Sequence, residues 1–268
     1  MNVPDSAFSA LIFSVALLFS FITGASAKLN TDPKAVAYYE PKALGGSMLT
    51  VQREPMNIII SGLSDPAALT NRGVTNWANS IHFGAECLGI HLGGYQAANL
   101  GDGNGVVNQT TILREDYKLP IGTCLQSLIG GNHFRIWRQN GPQSNSGALF
   151  LAGSAEETAA QNHDIIPNGY DIGRDDIVKR AIAGQTSFSG IIYTTTVQWL
   201  PNLLPFTANE INHNIAVDGR VALLTIDAET MGNGYNCKGS GLCPTLNPST
   251  CDQALSKVVD TTIYRTDT

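Results

Sequence analysis

The chain has 268 residues, of which 43% are hydrophobic and 14% charged, with a formal net charge of −6 at pH 7. That length fits one large domain, or one domain with long insertions. A mildly acidic chain with 16 Lys and Arg argues against a nucleic-acid partner, which needs clustered basic side chains.

Residues 7–22 run almost without a polar group and are followed by Thr23-Gly24-Ala25-Ser26-Ala27. An apolar stretch of about 16 residues ahead of a small-x-small sequence reads as a signal peptide cleaved after Ala27. It is short for a membrane span, which takes roughly 20 apolar residues. The expected product is therefore secreted and extracellular, with no membrane contact after cleavage. All five cysteines (Cys87, Cys124, Cys237, Cys243, Cys251) lie beyond that site. In a secreted chain they read as disulfides; Cys87 with Cys124 and Cys237 with Cys243 are the candidate pairs, one cysteine is left over, and the sequence does not fix the connectivity. No Cys-x-x-Cys occurs, so zinc is not expected, and no cofactor motif is found. Asn108-Gln109-Thr110 is a glycosylation sequon that reads as lying in a loop.

Residues 28–54 read as an N-terminal extension without a sustained period. Met56 to Ser61 is a short β-branched run between Pro55 and Gly62, so a buried strand is expected at 56–61. Asp65-Pro66 predicts a helix start, and the helix is expected over 65–82. Residues 84–131 are dense in glycine and read as an irregular insertion stapled by Cys87–Cys124. Alternation over 132–138 puts His133, Arg135 and Trp137 on one strand face and Phe134 and Ile136 on the other. Residues 147–153 then read as its hairpin partner. Ser154-Ala155-Glu156-Glu157 has the form of a capping box and predicts a short helix. Asp171 is read as the cap of a helix over 172–183 with Ile177, Val178, Ala181 and Ile182 inward. A strand is expected at 191–198. Asp218-Gly219 predicts a tight hairpin joining strands 212–217 and 220–226. The fold class is α+β, with a mixed, mostly antiparallel sheet and a few packed helices. Beyond 227 a cysteine-containing tail is expected, with a last element near 254–264.

Four islands in this order resemble the LssY C-terminal domain, found in bacterial proteins described as type I secretion components and in some secreted fungal proteins. The resemblance rests on Pro55 to Gly62, His133 to Arg138, Leu149 to Ala155, the set His163, Pro167, Asp171, Arg174 and Asp175, and Val217 to Val221. It spans 55–227 and implies a shared fold but no defined activity. The chain departs from the family in the insertion 84–131, in one extra residue before Asp171, and in Gly173, where the family pattern carries an acid.

The chemistry-bearing residues gather on these islands. His133, His163 and Asp171 are the candidates for acid–base or metal-assisted hydrolysis of an anionic ester, since two imidazoles and a carboxylate can hold a divalent metal or move a proton. Arg135, Trp137, Arg174 and Asp218 are the candidates for binding an extracellular ligand or partner without chemistry. The same residues also read as a structural pin, in which His133 and Arg135 bond Asp164, Asp171 or Asp218 and a buried Arg–Asp pair lies under a Trp. Gly101 to Gly105 reads as a flexible turn rather than a calcium loop, because it lacks the acidic series.

Overall fold

The computed structural model describes residues 34–90, 94–118 and 121–231. The expected signal peptide, the Cys237–Cys243 pair, Cys251 and the element near 254–264 lie outside these residues. The described elements, in chain order, are β1 (Ile58–Ile60), α1 (Asn71–Ser80), β2 (Phe83–Gly84), β3 (Ala97–Asn99), β4 (Val106–Asn108), β5 (Thr111–Glu115), α2 (Thr123–Ile129), β6 (Gly131–Asn140), β7 (Asn145–Glu156), α3 (Gly169–Ala181), β8 (Gln185–Phe188), β9 (Ile191–Leu200) and β10 (Val221–Thr230). Eight strands form one sheet in the order β2-β5-β6-β7-β1-β10-β9-β8, and β3 and β4 pair separately. The β1–β10 pair is parallel and every other pair is antiparallel, so the fold is the expected α+β with a mixed, mostly antiparallel sheet. Among the described residues no helix is long and apolar enough to cross a membrane.

Strand β1 lies mid-sheet between β7 and β10, and its three isoleucines are fully buried. Their alternation divides the interior into two cores. Ile58 and Ile60 face a core with Trp77, Phe134, Ile136, Leu151, Ile177 and Leu224, covered by α1 and α3. Ile59 faces the second, with Met48, Met56, Trp137, Phe150, Leu204, Ile211 and Leu223. Residues 34–54, expected as an extension, therefore belong to the packed unit: Met48 enters the second core and Leu49 bridges to Pro55. Asn57 ties the layers together. Its amide donates to the carbonyls of Gly153 and Tyr170 at 2.9 Å each and accepts from Gly153 N–H at 3.0 Å.

Several expectations need correction. Helix α1 begins at Asn71, because Thr70 supplies the cap by accepting from Gly73 N–H at 2.9 Å; Asp65 instead closes a turn onto Ala67 N–H at 2.7 Å. Residues 154–157 do not start a helix. Ala155 pairs with Asn132 and Glu156 with Gly131, so β7 runs on to the end of its partner β6. The 212–217 strand and its Asp-Gly hairpin are absent. Both edges of β10 are taken, by β9 and by β1, and residues 212–214 form a single 3₁₀ turn. Helix α3 starts at Gly169, so Asp171 sits in its first turn rather than at its cap, and Ile182 is exposed. The insertion 84–131 is not irregular: β5 extends the main sheet beside β6, and α2 is joined to residue 87 by the Cys87–Cys124 disulfide, with S–S at 2.06 Å. Asn108 is exposed as expected for a sequon but ends β4 instead of lying in a loop.

A helix glycine, a loop glycine and one carboxylate explain local sequence features. A Cβ at Gly173 would lie 2.6 Å from the Cα of Ser154, so no larger residue fits there against β7. Asp102, centre of the glycine-rich turn, is buried and accepts from the backbone N–H groups of Asn104, Asn140 and Gly141 at 2.9–3.1 Å. It buttresses the β6–β7 turn. Gly103 beside it, at φ +97°, takes a conformation that side chains disfavour.

Candidate functional site

The polar end of the second core carries the candidate site. Register places Arg114 (β5), His133 (β6) and Ser154 (β7) in one row across the sheet, with Arg135 one step along on the same face. Glu156, two residues past Ser154, shares that face by the two-residue period of the strand. Above this row lies a cleft of about 570 Å³. Its floor is formed by Glu54, Glu86, Arg114, Arg135 and Glu156. Its rim includes Ile90, Leu128, His163, Ile165 and His213.

Glu156 is the organising carboxylate. One oxygen accepts from Arg114 Nη1 at 3.2 Å and from Gln126 Nε2 at 3.1 Å. The other lies 3.3 Å from His133 Nδ1, and the Arg114-bonded oxygen lies 3.8 Å from His163 Nδ1. Arg114 also reaches Glu86 at 3.2 Å. Burial pushes the Glu156 carboxyl up, and the Arg114 charge with the Gln126 hydrogen bond offsets only part of that. Burial, with Arg135, Arg114 and His163 adding to it, pushes His133 well below the usual imidazole range, so His133 is neutral at pH 7.

An unusual number of polar atoms at this site make no hydrogen bond within the protein. They are both ring nitrogens of His133, Nδ1 of His163, Nε and Nη1 of Arg135, Oε2 of Glu54, Oγ of Ser154 and the Tyr170 hydroxyl. Arg135 and Glu54 are oppositely charged neighbours, but Nε and Oε2 stand 3.8 Å apart, too far for a hydrogen bond. Burial and the Glu54 charge push the Tyr170 hydroxyl up, with Arg135 opposing, so these three groups form one electrostatic unit. Each buried, unmade hydrogen bond costs about 1–3 kcal/mol. Backbone strain accumulates at the rim as well: His163 and His213 both adopt left-handed conformations, at φ +56° and +57°, rare for residues other than glycine and enriched at functional positions.

The sequence-derived residues divide into three places. His133, His163 and Arg135 meet at the cleft, His133 sealed beneath it and His163 about one-third exposed at its rim. Trp137 is fully buried in the second core and offers no stacking surface. Asp171 does not join the histidines. It sits with Arg174 and Asp218 in a separate cluster at the start of α3, accepting from Arg174 Nη1 at 3.1 Å and from Asp218 N–H at 3.0 Å. Arg174 is 0% exposed, donates to both oxygens of Asp218 at 2.7 and 2.9 Å and to Asp175 at 2.8 Å, and stacks 5.1 Å from the Trp199 ring. The Arg–Asp pair under a Trp is thus built by Arg174, Asp218 and Trp199, apart from the residues that line the cleft. Glu54, Glu86, Arg114, Glu156 and His213 complete the site without having been singled out by sequence. Register alone could have found Glu156, two positions past the residue opposite His133.

Among the described residues no group of three or more His, Cys, Asp or Glu is arranged to hold a metal ion. No protein-family model, no curated protein and no solved structure matches this chain.

Proposed function

We propose that this is a secreted ligand-binding domain, related to the LssY C-terminal domain, and that its ligand occupies the cleft over His133 and Arg135. The observation that carries this reading is the concentration of unmade hydrogen bonds on Glu54, Arg135 and His163 in one cleft, with the unbonded Tyr170 hydroxyl buried within the field of Glu54 and Arg135. A fold gains nothing by burying a charged pair and leaving it 3.8 Å apart, whereas a recognition site gains donors and acceptors already held in place. The Cys87–Cys124 disulfide supports an oxidising compartment.

Acid–base hydrolysis is the second reading, favoured by Glu156 standing between two imidazoles. It is the weaker of the two. The Glu156 oxygen that would orient His163 is already engaged by Arg114 and Gln126, and at 3.8 Å it makes no hydrogen bond to the ring.

The double variant E54L/R135M separates a recognition site from a structural pin. Replacing a poorly joined buried ion pair by apolar side chains of similar volume is expected to leave stability unchanged or to raise it by about 1–4 kcal/mol. Chemical denaturation of the variant checks this. A loss above about 2 kcal/mol would instead assign the pair to holding the fold.

A further inference from the structure

The charges on the cleft floor limit what can bind there. Arg114 is engaged by both Glu86 and Glu156, so its charge is already answered within the floor. Arg135 and Glu54 are left facing each other, with two N–H donors and one carboxylate oxygen unsatisfied and the Tyr170 hydroxyl beside them. A simple anion placed on Arg135 would strand Glu54 as an uncompensated buried carboxylate. A simple cation placed on Glu54 would strand Arg135 in the same way, and buried unpaired charge is strongly unfavourable. A ligand carrying both charges close together answers both groups. The rim adds a third requirement, because Ile90 and Leu128 are 55% and 58% exposed, with Ile165 beside them on the cleft wall. Such aliphatic side chains at a cleft mouth suit an apolar group on the ligand.

Resting on the ligand-binding reading above, we propose that the cleft takes a zwitterionic α-amino acid with an aliphatic side chain, its carboxylate on Arg135, its ammonium on Glu54 and its side chain against Ile90, Leu128 and Ile165. The arginine fork suits a carboxylate held by two N–H groups. The unsatisfied atoms of Arg135 and Glu54 are covered in the free protein, so the ligand enters by parting these two side chains at their weak 3.8 Å contact. A net-neutral zwitterion also leaves the floor's total charge unchanged.

The test is isothermal titration of the mature protein with three probes sharing one isobutyl group: L-leucine, 4-methylpentanoate, which lacks the amine, and 3-methylbutylamine, which lacks the carboxylate. Leucine is expected to bind at least tenfold more tightly than either half-probe. Glu54→Gln is expected to remove that advantage over 4-methylpentanoate, while its melting temperature reports that the variant is folded. Equal binding of leucine and 4-methylpentanoate, or no leucine binding at millimolar concentration, overturns the proposal. If other polar fragments still bind in the cleft, the ligand class alone is wrong; if nothing binds there, the ligand-binding reading falls with it.

Discussion

Arg174→Met is expected to destabilise the protein by about 3 kcal/mol, since it removes the fully buried cation of the cluster and leaves the largely buried Asp171 without one, while Arg220 still holds Asp218. Arg174 is the only cation bonded to Asp171 among the described contacts, and it also holds Asp175, both oxygens of Asp218 and the carbonyl of Arg220. It fastens the first turn of α3 to the segment that leads into β10. At about 2–4 °C per kcal/mol for a domain of this size, the melting temperature should fall by about 6–12 °C. The cluster also has a pH signature. Burial pushes the Asp218 carboxyl up, but hydrogen bonds from Arg174 and Arg220 outweigh it and hold the group at about 2, below the ordinary 3.8. A depressed carboxylate contributes stability that is present above the unfolded-state value and is lost as pH falls through the folded one. The Asp218 contribution is therefore intact above about pH 4 and fades towards pH 2. Thermal melts of the variant against the native chain check the first effect; a fall of only 1–2 °C would mean that the cluster is dispensable.

The second large effect concerns His133 and appears nearer neutrality. The folded protein keeps this imidazole neutral well below its ordinary range, while the unfolded chain takes up a proton near pH 6.5. For a depressed histidine, stability is present above the unfolded-state pKa and is lost as pH falls below it. From pH 7 to pH 5 the native chain should therefore lose the stability attributable to a neutral His133, the loss setting in as pH falls through the unfolded-state value. Glu156, whose carboxyl is raised, acts in the opposite sense: its contribution is present below the unfolded carboxylate value and is lost as pH rises through the folded one. The effect is therefore read as the difference between the native chain and His133→Gln. Urea unfolding at several pH values should show the two curves converging as pH falls. Parallel curves would mean that His133 titrates normally.

Strands with clean alternation or a compact β-branched run were legible from sequence, as at 56–61, 132–138, 147–153 and 191–198. So was the Cys87–Cys124 staple, from its position around a glycine-rich segment. The failures share a cause, in that tertiary pairing overrode a local signal. Asp218-Gly219 carries strong hairpin chemistry, but the Asp218 side chain is turned to Arg174 and Arg220 and β10 has no free edge. Ser154 and Glu157 fit a capping box, but β6 is long enough to keep β7 extended through Glu156. Strand β5 was hidden because glycine dominates its surroundings while its own five residues, Thr111–Glu115, carry only a short pattern.

The site was half legible for the same reason. Strand periodicity placed His133, Arg135 and Trp137 on one face, and the structure keeps that face. Sequence gave no measure of depth along it, so Trp137, deep in the core, could not be told from Arg135 at the cleft. Nor could the carboxylate partner be chosen from sequence. Asp171 and Glu156 are both near His163 in the chain, and only the pairing of β7 with β6 decides for Glu156.

The most direct measurement is a two-dimensional amide and side-chain NMR titration of the mature protein with a set of small polar fragments. A ligand-binding cleft predicts shifts that cluster at Glu54, Arg135, Glu156, His163 and His213 and vanish together in E54L/R135M. Shifts gathered elsewhere, such as the smaller cleft of about 260 Å³ beside Tyr95 and Gln109, or no shifts at all, would contradict it.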